Sequence, residues 1–188
     1  MFLPGHNVEA TFLVHDAFDV LDLPGPADSF TTDLLDQAHS RMQAGPKGEL
    51  WLPHIYVNGS SGKLDDDGEW SIGTRAWEAE INWWAQMELL NALVHADQRL
   101  GGPGRAGDKY IERAVQTWQL VSTRFVSPST GALYETLDNN PNSTTYFEGK
   151  GEGFGPWKAS YHTSRALVRS LQALSQGFKG VTPAAPSA

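Results

Sequence analysis

Three short stretches hold residues whose types and spacing could do chemistry. In Gly155-Pro156-Trp157-Lys158-Ala159-Ser160-Tyr161-His162-Thr163-Ser164-Arg165 a Gly-Pro loop feeds a helix whose first turns carry Trp157, Tyr161, His162 and Arg165. His162 and Arg165 stand three residues apart and so share one helix face. Pro4-Gly5-His6-Asn7-Val8-Glu9 opens a second helix with His6 and Glu9 at the same spacing. Trp83-Trp84-Ala85-Gln86-Met87-Glu88 opens a third, with Trp84 and Glu88 four apart. Each start presents an aromatic or a histidine beside a charge, and the three ends are expected to line one pocket. The side chains suit a sugar. Its apolar faces stack on indole, while carboxylates and arginine hydrogen-bond its hydroxyls.

Plainer roles compete with these. Trp83, Trp84 and Trp157 are core residues by default, and their place beside Gly-rich loops and charges is what favours sugar platforms. His6 and Glu9 could form a satisfied core pair, or place a carboxylate favourably at a helix N-terminus. A metal site is the sharper rival, but no His-x-x-x-His or cysteine spacing supports one. Trp84, Glu88, Asn91 and His95 form a polar stripe on a helix that is otherwise apolar. Unpaired buried charge is expensive, so Asn91 and His95 read as a hydrogen-bond network joining helices. Glu88, next to two tryptophans at a helix start, reads as a pocket residue. His15, His39 and His54 belong to no constellation. Asp65-Asp66-Asp67-Gly68 lacks the alternate spacing of a calcium loop and reads as a solvated turn.

The elements that must position these residues alternate in character. Residues 7–21 and 81–96 are apolar on all sides, which predicts helices buried all round. Residues 28–42 and 107–125 are apolar on one face and predict outer helices. A fifth helix is expected over 160–174. Long connections follow both outer helices, each with a Gly-x-Leu-aromatic strand (Gly48–Trp51 and Gly131–Tyr134). One inner helix, one outer helix and a long loop repeat at about 75 residues. The fold class expected is all-α, a partial toroid with its pocket closed by the loops. Residues 1–177 form the domain and 178–188 a Pro- and Ala-containing tail.

Composition narrows the partners. The chain has 188 residues, a net charge of -8 and no cysteine. The acidic balance argues against nucleic acid and against anionic membrane. No apolar run approaches the ~18 residues of a membrane span. The missing cysteines rule out disulfides and fit a cytoplasmic location. On that ground the Asn-x-Ser/Thr matches at Asn58 and Asn142 are read as chance.

Together, the Gly-His-x-x-Glu, Trp-Trp-Ala-Gln-Met-Glu and Trp-Lys-x-x-Tyr-His-x-x-Arg stretches resemble the N-acylglucosamine 2-epimerase family in order and spacing. The resemblance runs from Pro4 to about Leu174. It implies an (α/α)6 barrel, a small-molecule sugar as substrate, and no cofactor or metal. It implies His6 and His162 as the general acid/base pair. It further implies that Glu9 and Glu88 bind hydroxyls and orient the histidines, that Trp84 and Trp157 stack on the sugar, and that Arg165 holds hydroxyls. The family often has Trp where Phe12 stands and Pro-Gln-Ala-Glu or Val-Gln-Ala-Glu where Ala85-Gln86-Met87-Glu88 stands, differences that bear on sugar specificity. The stretch from Tyr56 to Trp77 is longer than usual.

The activity implied is epimerisation at C2 of an opened aldose, with mannose-type aldose-ketose isomerisation as the alternative. A glycoside hydrolase using Glu9 and Glu88 and a non-catalytic sugar-binding fragment are the rivals from other classes. Five helices are fewer than a closed ring of six inner and six outer helices needs. The chain is therefore expected to be the C-terminal half of such an enzyme, inactive alone and paired with the missing half or with a second chain.

Overall fold

Five helices dominate the computed structural model, which describes residues 4–44, 50–53, 63–64, 70–71, 80–101, 108–138, 148–152 and 160–178. They are α1 (Pro4–Val20), α2 (Asp28–His39), α3 (Trp83–Leu100), α4 (Asp108–Leu120) and α5 (Ser160–Gln176). A π-helical turn, Val121–Phe125, continues α4. Each helix lies where hydrophobic spacing places it, with shifted ends. α1 starts at Pro4 because the fixed φ of proline suits a first helical position. α2 stops at His39, and residues 43–44 pair as a strand instead.

Short antiparallel strands join the helices. β1 (Gln43–Ala44) pairs with β2 (Leu50–Trp51), and β3 (Lys63–Leu64) with β4 (Trp70–Ser71). β5 (Glu80–Asn82), β6 (Thr136–Asp138) and β7 (Gly149–Lys150) form a three-stranded sheet in that order. The expected strand at Leu50-Trp51 is β2. Its counterpart is displaced: Leu133 makes a single bridge to Val126, and the strand itself comes at β6. The β5–β6 register sets Asn82 opposite Thr136. The Trp83 N–H then donates to the Glu135 carbonyl at 3.0 Å, fixing the start of α3.

The two helices expected to be buried all round differ. α3 meets the expectation, with its length from Trp83 to Leu100 almost wholly enclosed among α1, α2, α4 and α5. α1 does not. It buries Val8, Thr11, Phe12 and His15 against its neighbours, but Leu13 is exposed and Val20 is 85% exposed. The reason is coverage: among the described residues α1 packs mainly on α2 and α3, and α5 reaches it through Arg165 and Arg169. Trp157, His54, Asn58, Asn142, the Asp65–Gly68 turn, most of the 56–77 stretch and residues 179–188 lie outside the described residues.

Candidate functional site

The pocket forms where α3 leaves the sheet. The Asn82 side chain caps α3 by accepting from the Trp84 N–H at 3.2 Å. This is the usual answer to orphan donors at a helix start. It holds the Trp83-Trp84 pair at the pocket mouth. Gln86, one turn in and fully buried, clasps the Leu52 backbone, accepting from its N–H at 2.9 Å and donating to its carbonyl at 2.8 Å. Trp83 is core; its indole N–H donates to Thr163 on α5 at 3.3 Å. The first turns of α3 and α5 are thereby tied together.

A pocket of about 380 Å³ opens between these ends, lined by His6, Trp84, Tyr161 and His162 with Asn82, Trp83 and Glu135. The Trp84 ring lies 5.0 Å from that of His6 and 5.3 Å from that of His162. Close approach at α1 depends on Gly5, because a Cβ there would sit 2.5 Å from the Trp84 ring. Tyr161 covers His162 at 3.8 Å between ring centroids. Burial, then Glu9 and Glu88, raise its phenol pKa, so it stays a protonated donor.

Behind the pocket wall sits a charge cluster. His162 Nδ1 is hydrogen-bonded to Glu88 Oε1, and Glu88 is fully buried. A carboxylate only accepts, so the bond places a proton on Nδ1, and in the neutral ring the Nε2 lone pair is then left for the pocket that His162 lines. One Arg165 nitrogen, Nη2, donates to Glu88 at 2.5 Å and to Glu9 at 2.7 Å. Burial works against the Arg165 charge, but the bonds to Glu88 and Glu9 outweigh it and raise its pKa. Glu88 on α3 is thus bonded by two residues of α5, His162 and Arg165, and Arg165 links it to Glu9 on α1.

Of the residues singled out by sequence, the fold brings together His6, Glu9, Trp84, Glu88, His162 and Arg165. Trp157 lies outside the described residues. Glu9, Glu88 and His162 offer ligand atoms within 4.8 Å of one another. The positive charge a metal would bring there is already supplied by Arg165, bonded to both carboxylates. Glu9 and Glu88 also fail the arrangement a glycosidase needs, since both are tied to one guanidinium nitrogen rather than flanking an open bond. In the stripe on α3, His95 accepts from Arg169 and so joins α3 to α5 as expected, while the buried Asn91 amide has no partner among the described residues.

Sequence reasoning missed Glu135 and Asn82. Asn before a Trp-Trp helix start is a legible capping signal; Glu135, on a short strand-like run, carries none. Gly151, at φ +70°, leaves room for the Glu135 side chain, whose Oε2 stands 3.1 Å from where a Cβ would be.

No family model matches the chain. A cellobiose 2-epimerase of Ruminococcus albus is 26% identical to it over 170 residues, which span 89% of this chain and 36% of that protein. A cellobiose 2-epimerase structure from Spirochaeta thermophila superposes with a TM-score of 0.59 at 20% identity, covering 93% of this chain and 38% of that one. A D-mannose isomerase superposes with a TM-score of 0.60 at 19% identity, covering 92% and 37%. The chain therefore spans a little over a third of the length of these relatives. Within that span the chain is similar in sequence to a segment of cellobiose 2-epimerase, and it shares the fold of the corresponding segments of cellobiose 2-epimerase and D-mannose isomerase.

Proposed function

We propose that this site moves a proton at C2 of an open-chain aldose, with His162 and His6 as the two acid/base groups. The carrying observation is the pairing of His162 with buried Glu88, which leaves Nε2 free beside Trp84, with His6 against the same indole. A proton alpha to an aldehyde is weakly acidic, and imidazole is the side chain suited to remove it at neutral pH. The Glu88 carboxylate stabilises the imidazolium that forms, as an acid behind a catalytic histidine does in general. Return of a proton to the opposite face of C2 by the second imidazole gives the 2-epimer. Delivery to C1 of the enediol gives the ketose. Trp84 offers the sugar face a surface, Tyr161 a hydroxyl donor, and Glu135 and Asn82 polar contacts at the rim.

Arg165 serves the cluster rather than the sugar: its guanidinium bonds both Glu9 and Glu88 and sets a positive charge between them. The product, epimer or ketose, depends on which face of the enediol the second histidine meets, and the same residues serve either outcome. The site belongs, on this reading, to a larger ring. α5 exposes Val168, Leu171 and Leu174, with Leu171 65% exposed, and apolar faces of this kind are normally covered by further protein. The covering helices come, on this reading, from further parts of an epimerase-like ring, of whose length in the relatives this chain spans a little over a third.

The experiment is incubation of the protein with glucose, mannose or cellobiose in deuterium oxide, followed by proton NMR. Loss of the C2 proton signal is expected once the apolar face is covered, by the rest of the ring or by a second copy. Glycosidic cleavage, or binding with no exchange in a protein whose apolar face is covered, overturns the proposal. Mass in solution, measured alongside, reports whether a second copy supplies the cover.

A further inference from the structure

Below the pocket the three helices repeat its plan one tier down. In the upper tier Arg165 on α5 reaches Glu9 on α1 and Glu88 on α3. In the lower tier Arg169 on α5 reaches Asp16 on α1, Nη2 to Oδ2 at 2.6 Å, and His95 on α3 through Nη1 and the ring Nδ1. The acids are seven residues apart on α1, the acceptors seven apart on α3, and the arginines four apart on α5. These are whole-turn spacings that keep each set on one face. Phe12 lies between Glu9 and Asp16 on α1, and both guanidiniums stand 5.0 Å from its ring centroid. That distance is within cation–π range. Two like charges are thereby gathered on one ring, each balanced by its own acid.

The arrangement matters because α1 and α5 hardly touch otherwise; each packs on α3 instead. Yet α1 brings His6 to the pocket and α5 brings His162. We propose that Arg169 is a positioning residue: with Asp16, Phe12 and His95 it ties α1 to α5 and fixes the separation of His6 and His162 across Trp84. The role rests on the acid/base reading above only for its catalytic consequence. His95 suits its part as an acceptor. Burial first, then Arg169, His15 and Arg99 outweighing Asp19, lower its pKa to about 3, so it stays neutral with Nδ1 unprotonated and the proton on Nε2. Asp16 and Arg169 are partly exposed, so the pair alone adds little to stability. Its effect is on geometry, and an error of about 1 Å at reacting groups can cost on the order of 10²-fold in rate.

The chain has no cysteine, so Leu13→Cys on α1 and Val168→Cys on α5, both at exposed positions, accept spin labels selectively. The labelled protein should give a narrow distance distribution between α1 and α5. Arg169→Met should broaden or lengthen it, and Asp16→Asn, which keeps the guanidinium, should do so less. Arg169→Lys should restore part of the narrowing. Lys109→Met, which removes an exposed pair with Asp36 between α2 and α4, should leave it unchanged. Nitrogen-15 NMR should find His95 locked as the Nε2–H tautomer in the parent and released from that lock in Arg169→Met. Where C2 exchange is measured, Arg169→Met should lower kcat at least ~10-fold with KM within ~2-fold, the mark of lost positioning rather than lost binding. Unchanged distances in a folded Arg169→Met protein overturn the proposal, as does a changed distance with unchanged kcat. Should Arg169→Met not fold, Asp16→Asn decides by the same distances. A parent that exchanges no C2 proton with its apolar α5 face covered overturns the acid/base reading instead, while the distances and the tautomer still decide the role of Arg169 in joining the helices.

Discussion

α3 and α5 both send side chains to the pocket, and they are held in opposite ways. α3 is enclosed along almost its whole length, so Glu88 sits at 0% exposure with its neighbours Met87 and Leu89 packed into the core. α5 buries only His162, Ala166 and Ala173, and turns Val168, Leu171 and Leu174 outward. The enclosed helix carries the group that must not move or meet water, the carboxylate behind the histidine. The half-covered helix carries the groups that reach across: His162 and Arg165. Altering α3 should therefore disturb fold and chemistry together, whereas altering α5 at the site should remove chemistry and leave the fold.

The sharpest form of that contrast is His162→Asn. An asparagine amide can still donate to Glu88 from near the Nδ1 position, so the cluster survives while the free Nε2 is lost. C2 exchange should fall at least ~10²-fold, with sugar affinity and thermal midpoint nearly unchanged. Near-normal exchange in this variant would remove His162 from the mechanism. Glu88→Gln on α3 should also abolish most turnover, but with a measurable drop in the thermal midpoint. It turns an acceptor that serves both His162 and Arg165 into a group with one donor end, inside a buried site. Breaking buried ionic contacts costs about 3–5 kcal/mol in general, and Glu9 remaining on Arg165 should keep the loss below that range. If Glu88→Gln were as stable as His162→Asn, the difference drawn between the helices would fail.

A smaller effect is expected from Gly5→Ala, which tests the pocket wall rather than its chemistry. The added Cβ meets the Trp84 ring at 2.5 Å, so the indole must shift. Overpacking of this kind costs about 1–3 kcal/mol, and here much of it can be relieved into the open pocket. Sugar binding should weaken more than folding, as judged by titration against thermal melts. Equal losses in both would mean that Trp84 is core after all.

Much of this was legible in the sequence, for identifiable reasons. The apolar spacing of residues 81–96 and 107–125 located α3 and α4, because periodic burial leaves a mark in sequence. The charges beside aromatics at three helix starts located Glu9, Glu88, His162 and Arg165, because lone charges among apolar residues need partners. Residues 7–21 misled: an all-apolar pattern predicts burial on every side, but the pattern records what a face is built to meet, and the neighbours of α1 among the described residues cover one side of it. Glu135 was illegible because its position depends on the β5–β6 register, a long-range pairing with no local signature. Arg169 was equally silent. Its meaning comes from Asp16 and His95, which lie far from it in the chain.

The smallest expected effect separates α3 from α5 by acid rather than by substitution. His95 on α3 has its folded pKa lowered to about 3, chiefly by burial, against an ordinary value of 6.5. Between those values the unfolded chain binds the proton and the folded one does not. The His95 contribution is therefore complete above about pH 6.5 and is lost progressively as pH falls toward 3, with a slope of at most about 1.4 kcal/mol per pH unit for one group. His15 and His39, also lowered by burial, act in the same direction. Denaturant midpoints measured from pH 7.5 down to 5 should fall with pH, and His95→Gln should flatten part of that fall while lowering the plateau. Gln can still accept from Arg169 but does not titrate. A fall of the same steepness in His95→Gln would assign the acid sensitivity to His15, His39 and other groups. It would also show that burial of α3 contributes less to the pH response of this fold than its enclosure implies.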